Sequence, residues 1–218
     1  MSCRWIVDAT GRRGAVAAAC GARLLVRDRL VAVHLTLGPA PASADTTTTT
    51  VEAAPDGWWY TAPLPDRRRL LAWYTDADLP AARTEFSAGL IATRHINSPA
   101  ARHPWPAGVP ARRAPAHTAF LDTVLGDGWI AAGDAALAFD PLSSQGILTA
   151  LFTGMSAGLA VHAHLAGDPG ALDEYERNVT AVRTTYLRNH RTHYAAEQRW
   201  PDRPFWQRRH HPTPEETP

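Results

Sequence analysis

A carboxylate at a strand end, followed by the start of a helix, is the feature of this sequence best suited to bind a small ligand. Asp134 follows an apolar, strand-like segment and Gly133, so its side chain can accept hydrogen bonds from hydroxyl groups. The amides of Gln145, Gly146 and Ile147 begin the next predicted helix, and the first amides of a helix lack partners within it. They carry the positive end of the helix dipole, which favours an anion. The glycine would let a flat ring approach the backbone.

The stretch GWIAAGDAALAFDPLSSQGI, from Gly128 to Ile147, resembles the second FAD-binding motif of the para-hydroxybenzoate-hydroxylase-like flavoproteins. Its variant GDAALAFDPLSSQGI is most similar to their tryptophan-halogenase-like branch. The resemblance implies that Asp134 binds the ribityl chain of FAD and that Pro141 and Gly146 lie along the isoalloxazine ring. A reduced flavin is an anion with its charge at N1 and O2, which suits a helix start. The alternative is a strand, turn and helix that serve packing alone.

A second match lies near the N-terminus, where the sequence VDATGR runs from Val7 to Arg12. It resembles the Ala-Thr-Gly strand end of the same family, which packs beside the dinucleotide, and implies that Thr10 and Gly11 lie near the cofactor. Family members begin with a Gly-x-Gly-x-x-Gly turn that cradles the FAD pyrophosphate. Neither this motif nor the acidic residue expected after it occurs in these 218 residues. We therefore expect the chain to be the C-terminal part of a family member and to bind FAD weakly by itself.

A third match is the sequence GWWYTAPL, from Gly57 to Leu64. It resembles the halogenase motif Gly-Trp-x-Trp-x-Ile-Pro-Leu, which lies near the flavin, but Tyr60 replaces the second tryptophan and Ala62 replaces the isoleucine. These departures weaken the case for halogenation. Strand alternation places Trp58 and Tyr60 on one face, and we expect these two side chains to shape the substrate cavity. The alternative is a strand whose aromatic side chains pack in the core.

Together the three matches imply a flavin-dependent monooxygenase, in which reduced FAD and O₂ oxygenate an aromatic substrate of the indole or tryptophan type. Within the branch, the chain is most similar to flavoproteins that hydroxylate protein-bound tryptophan during the maturation of quinone cofactors. This resemblance implies an aromatic small molecule or a peptide tryptophan as substrate, with a flavin reductase as a possible partner. Two alternatives stay open: a flavin-dependent halogenase, and a non-catalytic remnant or partner-binding module. The substrate, the electron donor and the oligomeric state are not determined by the sequence.

The elements predicted around these motifs form a mixed α/β (α+β) fold. Residues 1–22 and 116–198 would form an incomplete, Rossmann-like FAD-binding domain, residues 23–115 a substrate domain built on an antiparallel sheet, and residues 199–218 a C-terminal tail. Strands are predicted at Arg4–Thr10, Leu30–Leu37, Val51–Ala54, Trp58–Ala62, Leu70–Thr75, Ala116–Leu121 and Trp129–Ala132. Helices are predicted at Ala15–Ala22, Leu79–Thr93, from Ser144 onward, and at Ala171–Gln198, with a long loop at Ser98–Pro115.

The segment between Pro141 and Ala166 contains no charged residue and is long enough to span a bilayer. Its serine, threonine, glutamine and histidine residues favour a buried helix of a globular domain instead. The apolar side chains at i, i+4 spacing are expected to face the core. They are Ile147, Leu151, Met155 and Leu159.

Composition excludes several functions. The net charge of +1 gives no basis for nucleic acid binding, and all 22 basic residues are arginine, so lysine-based catalysis cannot come from these residues. Cys3 and Cys20 have no paired spacing, which favours a reducing, cytoplasmic location. His190, His193 and Glu197 share one helix face, but no fourth ligand accompanies them, so we predict a solvated face and no metal site.

Overall fold

A computed structural model describes residues 2–41, 47–83 and 86–211 of the chain. The chain divides into two compact units. Unit 1 combines residues 1–28 with His117–His193, and unit 2 combines Arg29–Ala116 with the segment that starts at Tyr194. Helices and sheets are mixed, which confirms the predicted fold class. Which unit serves the flavin and which the substrate stays a prediction.

The described residues form six α-helices and eleven strands. The strands are β1 (Ile6–Asp8), β2 (Leu24–Val26), β3 (Leu30–Leu37), β4 (Thr50–Ala54), β5 (Gly57–Pro63), β6 (Arg69–Asp76), β7 (Arg112–Pro115), β8 (Ala119–Leu121), β9 (Leu125–Gly126), β10 (Trp129–Ala131) and β11 (Leu137–Ala138). The helices are α1 (Ala15–Ala19), α2 (Phe86–Ile91), α3 (Asn97–Ala100), α4 (Gly146–Leu165), α5 (Ala171–Ala195) and α6 (Pro204–His210). Short 3₁₀ turns include Gly133–Ala135 and Pro141–Ser143.

Unit 1 contains two small sheets with strand orders β1-β10-β9 and β11-β8-β2. β1 and β10 are parallel, and the other pairs are antiparallel. The core consists mainly of alanine and aromatic side chains, with Ile130 fully buried at its centre. Tyr175 crosses this core and donates a hydrogen bond to the carbonyl oxygen of Ala131, and burial raises the pKa of its hydroxyl. This bond fixes the strand that leads into the Gly-Asp turn.

Unit 2 is a five-stranded antiparallel sheet with the order β4-β5-β6-β3-β7. Strands β4, β5 and β6 form the predicted meander. Leu71 and Ile96 are fully buried in its core. The predicted loop at Ser98–Pro115 was wrong in part, because its end forms β7 and pairs with β3. Proline and arginine content suggested a loop, but an edge strand tolerates both.

Two further predictions need correction at unit 2. The helix predicted at Leu79–Thr93 is divided into a 3₁₀ turn, Pro80–Arg83, and the short helix α2, and residues 84–85 lie outside the described part. The strand predicted at Val51–Ala54 begins one residue earlier, at Thr50. The last residues of the predicted tail, 212–218, are likewise not described.

The prediction for the apolar stripe of α4 was wrong. Ile147, Leu151, Met155 and Leu159 are between 62% and 81% exposed in the structure. The buried side of the helix consists of small side chains, which are Thr149, Thr153, Ala157 and Ala160. Small side chains allow the helix axis to lie close to the Gly-Asp turn, and this contact decided the helix orientation. Among the described residues, α4 is the one helix long and apolar enough to cross a membrane by length and composition alone.

Candidate functional site

The Gly-Asp turn is fixed against α4 by a hydrogen bond and by the lack of a side chain at Gly133. Its amide donates to Oγ1 of the buried Thr153 at 2.8 Å, and that hydroxyl donates to the Thr149 carbonyl oxygen. Gly133 has a φ of 61°, and a β-carbon there would lie 3.3 Å from that of Ala150. The glycine therefore supplies both a left-handed conformation and a close helix contact.

The side chain of Asp134 extends from this turn and is 40% exposed. Its described partner is Arg12, whose Nε lies 3.7 Å from Oδ2, a distance longer than a hydrogen bond. The carboxylate can therefore accept hydrogen bonds from a ligand without losing a buried partner. The role of Asp134 in binding the ribityl chain stays a prediction.

Arg12 links the two predicted flavin motifs. Its guanidinium donates to the carbonyl oxygens of His117 and Phe139, the second at 2.6 Å, while Nε faces Asp134. Hydrogen bonds from a charged donor are the stronger kind. The sequence analysis did not select Arg12, although it is the last residue of the VDATGR motif. A cation directly after the Thr-Gly turn was the available signal.

The helix start that would face an anion is open in the structure. The Pro141–Ser143 turn precedes it and is capped by Asp140, whose Oδ1 accepts from the Leu142 amide at 2.8 Å. The N-cap of α4, Gln145, makes no side-chain cap bond. Within the described residues, the amides of Gly146 and Ile147 donate to no protein acceptor. A β-carbon at Gly146 would meet no protein atom within 4 Å, so a planar group has room there.

A buried polar network holds the loop before this helix start. The Asp140 amide donates to the Tyr186 hydroxyl at 3.0 Å, and this hydroxyl lies 2.7 Å from Oγ1 of Thr118. Nε2 of His190 lies 3.3 Å from Oδ2 of Asp140. Phe139 stacks on Tyr186 with ring centroids 4.0 Å apart. The loop is therefore anchored to α5, an element that the sequence motif does not include.

Two of the three residues considered for a metal site make other contacts. His190 faces Asp140, and the carboxylate of Glu197 accepts hydrogen bonds from Nε and Nη2 of Arg199. The described residues contain no group of three or more histidine, cysteine or acidic side chains that could hold a metal ion.

The VDATGR strand end forms a rigid turn around a buried carboxylate. Oδ1 of Asp8 accepts from the Thr10 amide and hydroxyl, and Oδ2 accepts from the Ala17 amide at 2.8 Å. Burial raises the pKa of Asp8, but these hydrogen bonds outweigh it and leave the pKa below its ordinary value. The Thr10 hydroxyl also accepts from the Ala15 amide, so it is engaged inside the turn. Gly11 follows with a φ of 72° and open space where a side chain would lie.

In unit 2, the side chain of Trp58 is buried and packs in the interior. Its Nε1 donates to the Tyr194 hydroxyl at 2.9 Å, and its ring stacks on Tyr74 with centroids 3.8 Å apart. Only 2% of Trp58 is exposed. Tyr60, two residues along β5, is half-buried and pairs with Ala72.

Trp59, on the other face of β5, lines an apolar cavity of about 180 Å³. Gly89 on α2 gives this ring its space, because a β-carbon there would lie 2.9 Å from Cζ2 of Trp59. The sequence analysis did not select Trp59, because the resemblance to the halogenase motif pointed to Trp58 and Tyr60 on the opposite face of the strand. The other lining residues are Ala54, Pro55, Asp56, Trp73, Ala81, Phe86 and Ala92.

Comparisons of the sequence and the structure with known proteins identify the family of the chain. LodB of Marinomonas mediterranea, which is named as an FAD-dependent oxidoreductase, is 29% identical over 213 residues, covering 95% of this chain and 56% of LodB. The flavin-dependent halogenase CmlS superposes with a TM-score of 0.78 at 22% identity, covering 94% of this chain and 39% of CmlS. QhpG, a peptidyl tryptophan dihydroxylase of tryptophylquinone biogenesis, superposes at 0.62 with 26% identity, covering 84% of this chain and 44% of QhpG.

The chain thus spans about half the length of the curated relative that it matches, and less of these two solved structures. The tryptophan halogenase family model matches residues 1–218, the whole of the chain. The flavoprotein resemblance inferred from the sequence motifs is thereby confirmed. The chain belongs to the tryptophan halogenase family.

Proposed function

We propose that this chain carries the isoalloxazine-side half of an FAD site and acts in a flavin-dependent monooxygenase with an aromatic, indole-type substrate. The observation that carries the proposal is the open start of α4 beside the exposed carboxylate of Asp134. Helix-start amides without protein partners suit the anionic end of a reduced flavin. A carboxylate with no buried partner suits the hydroxyls of the ribityl chain.

The Gly-Asp turn and the start of α4 have the chemistry that FAD binding requires. Asp134 would hold the ribityl hydroxyls, and Pro141 would lie along the ring. The amides of Gly146 and Ile147 would stabilise negative charge on the ring, and the amide of Gln145 would do so by exchanging its 3.4 Å hydrogen bond to Oγ of Ser143. Bound FAD would supply the activation of O₂, which no amino acid side chain provides.

Four further residues of unit 1 would position these groups. Gly133 and Arg12 hold the turn that carries Asp134, through the hydrogen bonds described above. Thr10 contributes through its hydrogen bonds to Asp8, and Gly11 leaves the strand end open for the dinucleotide.

A flavin titration tests this site. FAD is added to the purified chain and binding is followed by quenching of flavin fluorescence. Asp134→Asn is expected to weaken binding about tenfold, because a hydrogen bond to a charged group contributes about 1.5 kcal/mol or more. Gly146→Val is expected to abolish binding, because the added side chain would fill the open space at this position, where the ring would bind.

Asp127→Asn, an exposed aspartate in the turn before β10, is the matched control and should bind FAD like the unmodified chain. Unchanged affinity in both site variants would contradict the proposal. An unmodified chain that binds no FAD at saturating concentration would favour the non-catalytic alternative.

Halogenation is the second candidate, and the match to the tryptophan halogenase family model favours it. The partial match of the GWWYTAPL motif favours monooxygenation. Mass spectrometry separates the two reactions. The flavin-loaded protein is supplied with reduced FAD, O₂, halide and either indole or a tryptophan peptide. Incorporation of oxygen into the substrate supports monooxygenation. A halogenated product would contradict it and support halogenation instead.

The finer proposal is that the substrate is a tryptophan within a peptide. It is supported by QhpG, which acts on peptidyl tryptophan. We further propose that electrons come as reduced flavin from a separate reductase. Comparison of a tryptophan peptide with free tryptophan in the same assay tests the first point, and equal turnover of both would contradict it.

A further inference from the structure

We propose that unit 2 contains a binding site for a small neutral phenol, in the apolar cavity that Trp59 lines. A phenol is an aromatic ring that carries one hydroxyl group, and the cavity offers a counterpart for each of these two parts. The site uses no residue of the proposed flavin site, so the proposal does not depend on flavin binding.

The volume of the cavity suits one aromatic ring. It measures about 180 Å³, slightly more than the apolar cavity of about 150 Å³ that holds benzene in an engineered protein. All of its lining residues lie between Ala54 and Ala92, within unit 2. A single ring with one small substituent can therefore fill the cavity.

Aromatic side chains among the lining residues can contact such a ring. The ring centroid of Trp59 lies 5.0 Å from that of Trp73 and 5.0 Å from that of Phe86, at interplanar angles of 35° and 66°. Aromatic pairs favour offset or edge-to-face arrangements at separations of this size. A bound aromatic ring can add contacts of the same kind, which an aliphatic ligand cannot make.

Trp59 also brings to the cavity a hydrogen-bond donor that lacks a partner. Only 3% of the residue is exposed, yet its indole N–H donates to no acceptor among the described residues. The neighbouring Trp73 differs, because its Nε1 donates to the Ala81 carbonyl oxygen at 3.2 Å. The N–H of a buried tryptophan usually has a partner, and a buried donor without one is costly. A ligand with an oxygen acceptor would satisfy it.

The carboxylate of Asp56 supplies an acceptor at the same cavity. Asp56 lies in the turn between β4 and β5. Its described partner is Arg203, whose Nη1 lies 3.9 Å from Oδ1, a distance longer than a hydrogen bond. Arg203 balances the charge of the carboxylate, so a neutral ligand suits the cavity better than a cation does. A phenol hydroxyl both accepts and donates, so it can serve Trp59 and Asp56 together.

Titration of the chain with 4-fluorophenol at pH 7, followed by ¹⁹F NMR, tests the site. We expect saturable one-to-one binding in the absence of FAD. Ala92→Phe should abolish it, because Ala92 lines the cavity and is exposed, so the larger side chain can fill the cavity without disturbing the core. Ala88→Phe is the matched control, since Ala88 is exposed on α2 but does not line the cavity. It should bind like the unmodified chain.

Asp56→Ala tests the role of the hydroxyl group. It should weaken the binding of 4-fluorophenol about tenfold through the loss of a hydrogen bond to a charged group. The binding of 4-fluorotoluene, which has a similar size and no hydroxyl, should not change. Asp134→Asn should affect neither ligand, which separates this site from the flavin site. Three results would each overturn the proposal: no binding of 4-fluorophenol, an equal loss of both ligands in Asp56→Ala, or equal effects of Ala88→Phe and Ala92→Phe.

Discussion

At the scale of single residues, the site depends on side chains that hold other groups in place as much as on those that would touch a ligand. Asp134 is the candidate ligand contact, and its position is set by Gly133, Thr153 and Arg12. Thr153 is fully buried and satisfies the Gly133 amide, a donor that would otherwise be orphaned. Its hydroxyl is therefore a structural requirement of the Gly-Asp turn.

Thr153→Val removes this hydroxyl at nearly constant volume. It should lower the free energy of unfolding by about 1–3 kcal/mol, the cost of a buried donor without a partner. Urea denaturation measures the change. Thr184→Val is the control, because Thr184 makes the same hydroxyl-to-carbonyl bond within a helix but is exposed. Equal effects of the two substitutions would show that the Gly133 bond contributes nothing.

At the scale of elements, α6 is attached to the sheet of unit 2 by charge pairs. Arg209 bonds the buried Asp76 at 2.8 Å, and Arg208 bonds both Asp76 and Asp78. Trp206 donates to the Ala54 carbonyl oxygen at 3.0 Å. The sequence analysis placed this segment in a tail, because proline and charge dominate its composition. Because the arginines of this segment pair with aspartates of the sheet, part of the predicted tail forms a helix that packs on unit 2.

The attachment of α6 predicts a pH dependence of stability. The hydrogen bond from Arg208 lowers the pKa of Asp78 to about 2 from an ordinary value of 3.8. The ionised form is thus favoured by folding, so its contribution is full above about pH 4 and is lost as the pH falls towards 2.

Asp78→Asn should therefore cost about 1 kcal/mol at pH 7, with allowance for solvent screening at this partly exposed site. The difference from the unmodified chain should shrink as the pH falls from 4 to 2 and vanish below pH 2. Thermal denaturation as a function of pH measures it. Asp66→Asn, at a highly exposed side chain 4.0 Å from Arg68, should change little at any pH. A constant difference down to pH 2 would contradict the assignment to the Asp78 carboxylate.

At the scale of the whole molecule, each unit has its own hydrophobic core. Ile130 lies in the core of unit 1, and Leu71 lies in the core of unit 2. Both side chains are fully buried. Each unit therefore contains a site at which a cavity can be introduced separately.

Leu71→Ala should destabilise unit 2 by about 2–5 kcal/mol through lost burial and the cavity left behind. Hydrogen exchange should speed up most in β5 and β6. Ile130→Ala should act mainly on β1 and β10 instead. The same exchange pattern in both variants would contradict separate cores.

The sequence by itself determined the family, the mixed fold and the position of most strands, because these follow from local patterns. Strand β3 was predicted with its observed bounds, and the GDAALAFDPLSSQGI motif was sufficient to identify a flavoprotein relative. Only the tertiary structure decided which side of α4 is buried. Either its large apolar side chains or its small side chains can face the Gly-Asp turn, but not both. The close approach of Gly133 selected the small side chains and left the apolar ones exposed. Likewise, Arg12 donates hydrogen bonds to carbonyl oxygens of residues more than a hundred positions away in the sequence. No local sequence pattern predicts such contacts.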